Sequence, residues 1–452
     1  MFSRNKKVVF FFCLSAIIFN FNHPLSGDEG AVLNGAWQIA SGKIPYFDFF
    51  NFVAPGSFYF VKWSFDIFGY SYFSAKFTSV LLQLISVYAV YKISKYLSQI
   101  ESASLVSAWL WLVAASNTIL YPIINYNTYS SATTIIAVFF LIRSIKFERW
   151  RDFFLLGLML SATIVTLQHK GLIMSLTLIT ILAIFTLAKK IRFLNFLTAI
   201  GATGIFPLIA VSYWGTKILY EDLIIWSLKH DISMSPIPAA NIIILFAIFA
   251  SLSILITKKR QIDRTVLAII AASQIAAIIS IYSRLDAGHL LINSFGFIII
   301  FALALHQLAV KYLKNQQNTI KIIFAVFIIS TFTVFISMNI EFYKFINQFQ
   351  KTTNQLKITK IYAHPFLPEM YFELKLNNPY RYDTLFTGIH PQEYFIDNLT
   401  TLILENPKHI VISYDVVQKF NYTTKNPLDQ YILTHYKPKT NLANLTFMEK
   451  ID

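Results

Sequence analysis

Residues 8–29 read VVFFFCLSAIIFNFNHPLSGDE: an apolar run from Val8 to Phe21, a short polar break, and then the acidic pair Asp28-Glu29. Carboxylates set directly after a hydrophobic segment are costly at a membrane boundary unless something pairs or uses them. The run follows Arg4, Lys6 and Lys7, which gives it the look of a signal peptide. No small-x-small cleavage site follows it, so it reads as an uncleaved anchor. Either reading places Asp28 on the translocated side of the membrane.

The rest of the chain fits a membrane setting. Of 452 residues, 56% are hydrophobic and only 13% are charged, with a mean hydropathy of +0.55, too apolar a balance for a soluble domain. Aromatics reach 16%, with 43 Phe and 24 Tyr available to face lipid or sit at the water interface. The net charge of +15 would point to nucleic acid in a soluble protein; here it marks cytoplasmic loops, and no nucleic-acid partner is expected. The one cysteine, Cys13, lies inside the first apolar run, which excludes an intramolecular disulfide and a cysteine metal site.

A helix needs roughly 20 apolar residues to cross a bilayer. On that measure about eleven spans are expected, near 8–22, 74–96, 103–121, 128–145, 152–168, 171–188, 194–213, 240–257, 265–282, 288–308 and 320–338. The stretch 152–188 is divided only by Gln168-His169-Lys170. Alternate loops collect the basic residues: Lys92 and Lys95; Arg143, Lys146, Arg149 and Arg151; Lys189, Lys190 and Arg192; Lys258, Lys259, Arg260 and Arg264; Lys311, Lys314 and Lys321. The positive-inside rule puts those loops and the N-terminus in the cytoplasm, and an odd span count puts the C-terminus outside.

The outside loops then hold the chemistry. The first runs from about 22 to 73. In it Ala31, Val32, Gly35, Ala36, Ile39 and Ala40 share one helical face, as in a helix lying on a membrane surface. Later outside loops are Tyr121 to Asn127, Gln168 to Lys170, a longer one near 214–239, and Ser283 to His289. Beyond about Glu341 charged residues, Pro and Asn become common, and alternating runs such as His409 to Tyr414 look like strands. The expected organisation is a polytopic α-helical membrane domain over 1–340 and a small soluble α/β domain over 341–452, outside the membrane.

Asp28 and Glu29 are the candidate catalytic acids. A carboxylate within reach of an acceptor hydroxyl can act as its general base. The competing reading is that Asp28 caps the surface helix, and the two roles can coexist. Lys170, Arg284 and His289, each at the outer end of a span, are candidate partners for a phosphate, where negative charge develops on a leaving group. Snorkelling competes for Lys170, and an Arg284–Asp286 ion pair competes for Arg284. Asn125, Tyr126, Asn127, Gln168 and His169 offer neutral donors and acceptors suited to sugar hydroxyls. Turn chemistry after Pro122 explains the asparagines equally well. Asp48 and Asp286 complete the candidate substrate-binding set. His169 has no second ligand at a diagnostic spacing, so no metal is expected.

The first loop also carries a resemblance. Gly27-Asp28-Glu29 precedes Gly35-Ala36-Trp37-Gln38-Ile39-Ala40-Ser41-Gly42, Pro45-Tyr46-Phe47-Asp48, Pro55-Gly56-Ser57-Phe58-Tyr59-Phe60 and Phe68-Gly69. This resembles the first extracytoplasmic loop of the GT-C glycosyltransferases, in the branch of bacterial members related to the protein O-mannosyltransferases and aminoarabinose transferases. Asn125-Tyr126-Asn127, His169-Lys170-Gly171, Arg284-Leu285-Asp286 with His289, and Pro368-Glu369-Met370-Tyr371-Phe372 in the trailing domain extend the likeness along the chain. Each motif alone is weak; the ensemble is specific.

The resemblance implies a GT-C-like fold. It also implies an inner-membrane glycosyltransferase of the cell envelope, serving lipopolysaccharide or protein glycosylation. The donor would be a polyprenyl-phosphate-linked sugar, the acceptor a lipid, glycan or protein, and the anomeric centre would invert. It gives Asp28 the role of base beside Glu29, and no cofactor. Two departures stand. Asn51-Phe52-Val53-Ala54-Pro55 lacks the Lys that some branches place before this Pro to bind the donor phosphate. The next outside loop has Asn125 and Asn127 where several members have a second acid, against a two-carboxylate or metal-dependent mechanism. A transporter or flippase of lipid-linked sugars is the alternative, as is a surface-glycan polymerase or ligase. A transporter should carry its charges at mid-membrane on broken helices, whereas these clusters map to one surface.

Overall fold

The computed structural model describes residues 6–21, 27–116, 123–226, 262–282, 286–313, 325, 329, 348–349, 351–418 and 421–451. The principal helices are α1 (Lys6–Phe21), α2 (Gly27–Ala40), α3 (Gly56–Phe68), α4 (Tyr72–Ser98), α5 (Glu101–Ala115), α6 (Tyr126–Phe147), α7 (Trp150–Thr166), α8 (Gln168–Leu187) and α9 (Phe193–Trp214). They continue with α10 (Arg264–Ile279), α11 (Ala287–Ile292), α12 (Phe295–Leu313), α13 (Glu369–Leu374), α14 (Gln392–Glu405) and α15 (Pro427–His435). Four strands are described toward the C-terminal end: β1 (Ile361–His364), β2 (His409–Ile412), β3 (Tyr436–Leu442) and β4 (Leu445–Lys450).

Among the described residues α4, α6, α8 and α9 are long and apolar enough to cross a membrane. Shorter apolar helices cover Val8–Asn20, Glu101–Ala115, Arg264–Ile279 and Phe295–Val310. The spans expected near 240–257 and 320–338 lie outside the described residues, apart from 325 and 329. Two expected boundaries differ. The loop expected at Gln168-His169-Lys170 is the first turn of α8; a single extended residue, Leu167 (φ −149°, ψ 97°), separates it from α7. The span expected near 288–308 is two helices, broken at Asn293-Ser294. Buried backbone groups at a break need partners. Gln274 supplies them: its Nε2 donates to the Asn293 carbonyl at 2.8 Å, and its Oε1 accepts from the Gly296 N–H at 2.9 Å.

The described residues form two compact units. The first comprises those of Met1–Phe21, Lys76–Gly215 and Ser233–Ser337. It is a helix bundle whose interior is threaded with polar contacts. Asn20 Nδ2 donates to Gln83 Oε1 at 2.8 Å, Trp111 Nε1 to Ser86 Oγ at 2.9 Å, and Thr163 Oγ1 to Thr133 Oγ1 at 2.9 Å. At the basic end Arg143 pairs with Asp152 at 2.9 Å.

The second unit comprises the described residues of Asn22–Ala75, Thr216–Ile232 and Met338–Asp452. Its four-stranded sheet runs β1-β2-β4-β3. β1 and β2 are parallel, with Ile361 opposite His409 and His364 opposite Ile412. β4 is antiparallel to both β2 and β3. The strand read from His409 onward is therefore an interior one, and all four of its residues are buried rather than alternating. Ile410, Val411, Phe447, Leu402, Leu428 and Ile432 form its core. α2 and α3 belong to the same unit. They approach closely because Gly35 leaves room for Phe58, whose ring would stand 2.9 Å from a Cβ at that position.

One buried acid in this unit is fully served. Asp429, 0% exposed, accepts hydrogen bonds from Tyr414 Oη at 2.6 Å and Tyr422 Oη at 2.7 Å, faces His364 Nε2 at 3.1 Å, and takes a further bond from Asn426. Burial alone would raise its carboxyl; the charge and hydrogen bonds of His364, with the tyrosine hydroxyls, hold it down at about 2. A depressed acid adds stability above its ordinary value of 3.8, and this is lost as pH falls through about 2. Asp429→Asn removes the charge from a built network and is expected to cost about 3 kcal/mol. The protein's thermal midpoint at pH 7 should fall, and the difference from wild type should shrink as the pH is lowered from 4 to 2.

Candidate active site

Each unit carries one cluster. In the second, α2 starts at Gly27, so Asp28 lies inside its first turn and not before it as a cap would. Asp28 and Glu29 there meet the positive end of the helix dipole, which favours both carboxylates. Their burial separates them. Asp28 is exposed, whereas Glu29 is 1% exposed and accepts a hydrogen bond from Tyr72 Oη at 2.8 Å. One acid is anchored; its neighbour is left open to a ligand.

The polar side of α2 is also packed. Gly30, Asn34 and Gln38 recur every four residues along one face. At Gly30 a Cβ would lie 2.5 Å from Glu369 Oε2 and 2.7 Å from both Glu369 Cβ and its backbone nitrogen, so only glycine lets α13 seat there. Glu369 is 7% exposed, and its Oε2 has no hydrogen-bond partner among the described residues. Burial pushes this carboxyl up to about 8, with the charges of Glu373, Asp28 and Asp383 adding to the effect. One turn further on, Asn34 Nδ2 donates to Asp383 Oδ2 at 2.7 Å. Burial raises Asp383 to about 6 against the opposing pull of Asn34 and Lys43. Trp37 Nε1 closes the row on the Leu376 carbonyl at 3.0 Å.

This corrects the reading of α2 as a helix with one buried face. Val32, Gly35 and Ala36 are buried as expected, but so are Asn34 and Gln38 on the opposite side. The apolar pattern reported one packing partner, and the small and polar residues met a second. Asp48, in the same loop, accepts the Ile44 N–H through Oδ2 at 2.7 Å and shapes a turn.

In the first unit, Lys170 is 0% exposed within the first turn of α8. Its Nζ donates to Ser131 Oγ at 2.6 Å, and Ser131 donates to Asn293 Oδ1 at 3.2 Å. Asn293 Nδ2 donates to the His289 carbonyl at 2.7 Å, and the His289 ring Nδ1 meets Asp286 Oδ2 at 2.6 Å. The structure thus links Lys170, His289 and Asp286 through two side chains the sequence reading passed over, Ser131 and Asn293. No ion pair to Lys170 occurs among the described residues. Asp286 also caps α11 by accepting the His289 N–H at 3.0 Å. Burial would raise its carboxyl, but the bond and charge of His289 hold it below the usual range.

The remaining candidates are placed less pointedly. Asn125 caps α6, its Oδ1 accepting the Asn127 N–H at 2.7 Å, so the turn reading applies to it. Asn127 is buried, Tyr126 and Gln168 are half-buried, and His169 is exposed. Arg284 lies outside the described residues. Sequence reasoning missed Tyr72, Asn34, Asp383, Glu369 as a site residue, and Lys76. Lys76 is fully buried in α4 and donates to the Asn20 carbonyl at 2.8 Å. A lone Lys inside an apolar run and an acid between Pro368 and three large apolar residues were the available signals. Among the described residues no group of three or more His, Cys, Asp or Glu could hold a metal.

Comparison with known proteins agrees with the fold. Residues 53–214 match the family model described as dolichyl-phosphate-mannose-protein mannosyltransferase. Among curated proteins none matches the chain in sequence. Among solved structures, ArnT from Cupriavidus metallidurans bound to undecaprenyl phosphate superposes with a TM-score of 0.66 at 12% identity, over 99% of this chain and 98% of that one. Its apo form gives 0.65 at 11% identity, over the same shares of both chains. The Archaeoglobus fulgidus oligosaccharyltransferase in complex with Zn and sulfate gives 0.51 at 10% identity, over 95% of this chain and 71% of that one. The chain has the fold of these membrane proteins, and its residues 53–214 match a glycosyltransferase family model.

The Gly30 seat gives a direct test of the packing. Gly30→Ala forces a methyl group onto the backbone and Cβ of Glu369, and overpacking of this kind costs about 1–3 kcal/mol. The expected result is a lower thermal midpoint, while Ala31→Gly, a half-buried change off this seat, shifts it by less.

Proposed function

We propose that this protein is an inverting glycosyltransferase. It moves a sugar from a polyprenyl-phosphate donor to a hydroxyl-bearing acceptor on the extracytoplasmic face of the inner membrane. The observation that carries the reading is the division of labour in the first turn of α2: Glu29 is tied to Tyr72, and Asp28 beside it is exposed. A general base has to be reachable and also held in place. The ArnT structure contains undecaprenyl phosphate, which supports a lipid-linked donor for this chain as well.

In this mechanism Asp28 takes the proton of the acceptor hydroxyl. The oxygen attacks the anomeric carbon, the bond from that carbon to the phosphate oxygen breaks, and the electron pair leaves with the lipid phosphate. The proton on Asp28 is then released to water. Lys170 supports the departing phosphate. Its buried amine donates to the neutral Ser131, and it stands in the first turn of a long helix, where the dipole also favours an anion. His289 and Asp286 hold the far end of that hydrogen-bonded chain. Asn127, Tyr126, Gln168, His169 and Asp48 are assigned to hydroxyl contacts with sugar or acceptor, and Arg284 to the phosphate. Residues 341–452 are assigned to the extracytoplasmic side, with a role in acceptor binding.

Release of polyprenyl phosphate from a polyprenyl-phosphate-sugar by purified protein is the deciding assay. Asp28→Asn should lower kcat by about 10²–10⁴-fold with the fold intact. Full activity in that variant would remove Asp28 as the base. Lys170→Met should lower the rate by about 10²–10³-fold, the scale of a lost charge-stabilising donor. Lys170→Arg, which keeps the charge, should retain more activity than Lys170→Met. Equal loss in both would assign Lys170 to packing.

A further inference from the structure

Among the buried titratable groups of the described residues, Glu369 stands out by what it lacks. Asp429 in the same unit has tyrosine hydroxyls, an imidazole and an amide around it. Glu369 is more than nine-tenths buried, and its Oε2 is aimed at Gly30 in the acidic turn of α2 without a hydrogen-bond partner among the described residues. An ionised carboxylate in that position would be desolvated, with only its own backbone N–H to offset the loss, while a protonated one is tolerated.

We propose that Glu369 is a positioning residue: a neutral carboxylic acid seated on Gly30, packed beside the turn of α2 that presents the open carboxyl of Asp28. The inference rests on the reading of Asp28 as the base, and it deepens that reading. Where two carboxyl groups share a neighbourhood and their surroundings differ, the buried one keeps its proton and the open one does the proton transfer. Asp28 is open and Glu369 is enclosed. The charged groups around Glu369 are Asp28 on α2, Glu373 on its own helix and Asp383 on the following loop. Lys375 acts on Glu373, and Lys43 acts on Asp383. Glu369 keeps its proton throughout the transfer; no bond to it forms or breaks.

The consequence is a pH limit on activity. Burial holds Glu369 protonated up to about pH 8. Above that it ionises, and the bare charge has to leave its seat against Gly30 or draw water into it. Either change displaces the first turn of α2 and with it Asp28. The fall should therefore appear in kcat more than in the donor KM.

The test uses the full chain in lipid nanodiscs, read in two ways. Infrared difference spectra between pH 6 and pH 9.5, with ¹³C-labelled glutamate, report a protonated glutamic acid. The expected band disappears with a midpoint near pH 8 and is missing in Glu369→Gln. In Asp28→Asn the midpoint should move to lower pH, because a neighbouring negative charge is gone; this arm needs no change at Glu369 itself. In parallel, kcat for release of polyprenyl phosphate should fall by about tenfold per pH unit above 8 in the wild type. In Glu369→Gln it should vary by less than about threefold over that range. Absence of the glutamic acid band at pH 6 overturns the proposal, as does an alkaline limb that survives in Glu369→Gln. A band that titrates as expected in a wild-type protein that releases no polyprenyl phosphate would keep the neutral seat and remove the transferase reading of Asp28.

Discussion

The seating of α13 on α2 at Gly30 is the contact on which the acidic turn of the second unit depends. A side chain at that position would strike the backbone of Glu369. Its absence lets two helix starts, each bearing acids, lie against one another with water shut out between them. Asp383 with Asn34 and Trp37 with Leu376 extend the same contact along the polar face of α2. The sheet and its core supply the rigid backing that makes so close an approach sustainable.

Two buried acids of that unit show how surroundings decide the role of a residue type. Asp429 and Glu369 are both enclosed, yet one carboxyl is driven down to about 2 and the other up to about 8. Asp429 is ringed by donors that stabilise its charge, as in a structural network. Glu369 meets acids and a glycine. Desolvation raises both, and at Asp429 the surrounding donors outweigh it. In the first unit Lys170 presents a buried basic counterpart. It is buried, bonded to a hydroxyl and aligned with a helix dipole that shares its preference for anions.

Much of the helical layout was legible because apolar length is a one-dimensional property. Runs near 74–96, 128–145 and 194–213 became α4, α6 and α9 with ends shifted by a few residues at most. The breaks were harder. One extended residue, Leu167, suffices to separate α7 from α8, and the interruption at Asn293-Ser294 is stabilised by a glutamine nineteen residues earlier in the chain. Neither leaves a composition signal of the length that a loop would. The Asp28-Glu29 pair was visible from its position after the first apolar run. That Glu29 is anchored and Asp28 open was not, since both are acids in adjacent places and only Tyr72 distinguishes them.

The sequence by itself determined the class of molecule: apolar segments too many for a soluble fold, basic residues gathered in alternate loops, and an acidic pair ahead of glycine- and aromatic-rich motifs in the first loop. These follow from transfer energies and charge, which act residue by residue. Tertiary structure alone decided which acids share a neighbourhood and which are enclosed. Glu369 stands more than three hundred residues from Asp28 in the chain, and the linkage of Lys170 to His289 and Asp286 runs through Ser131 of α6 and Asn293 at the end of α11. Protonation state depends on solvent access and on the nearest few groups in space, and both are set by packing of distant segments, which no local pattern records.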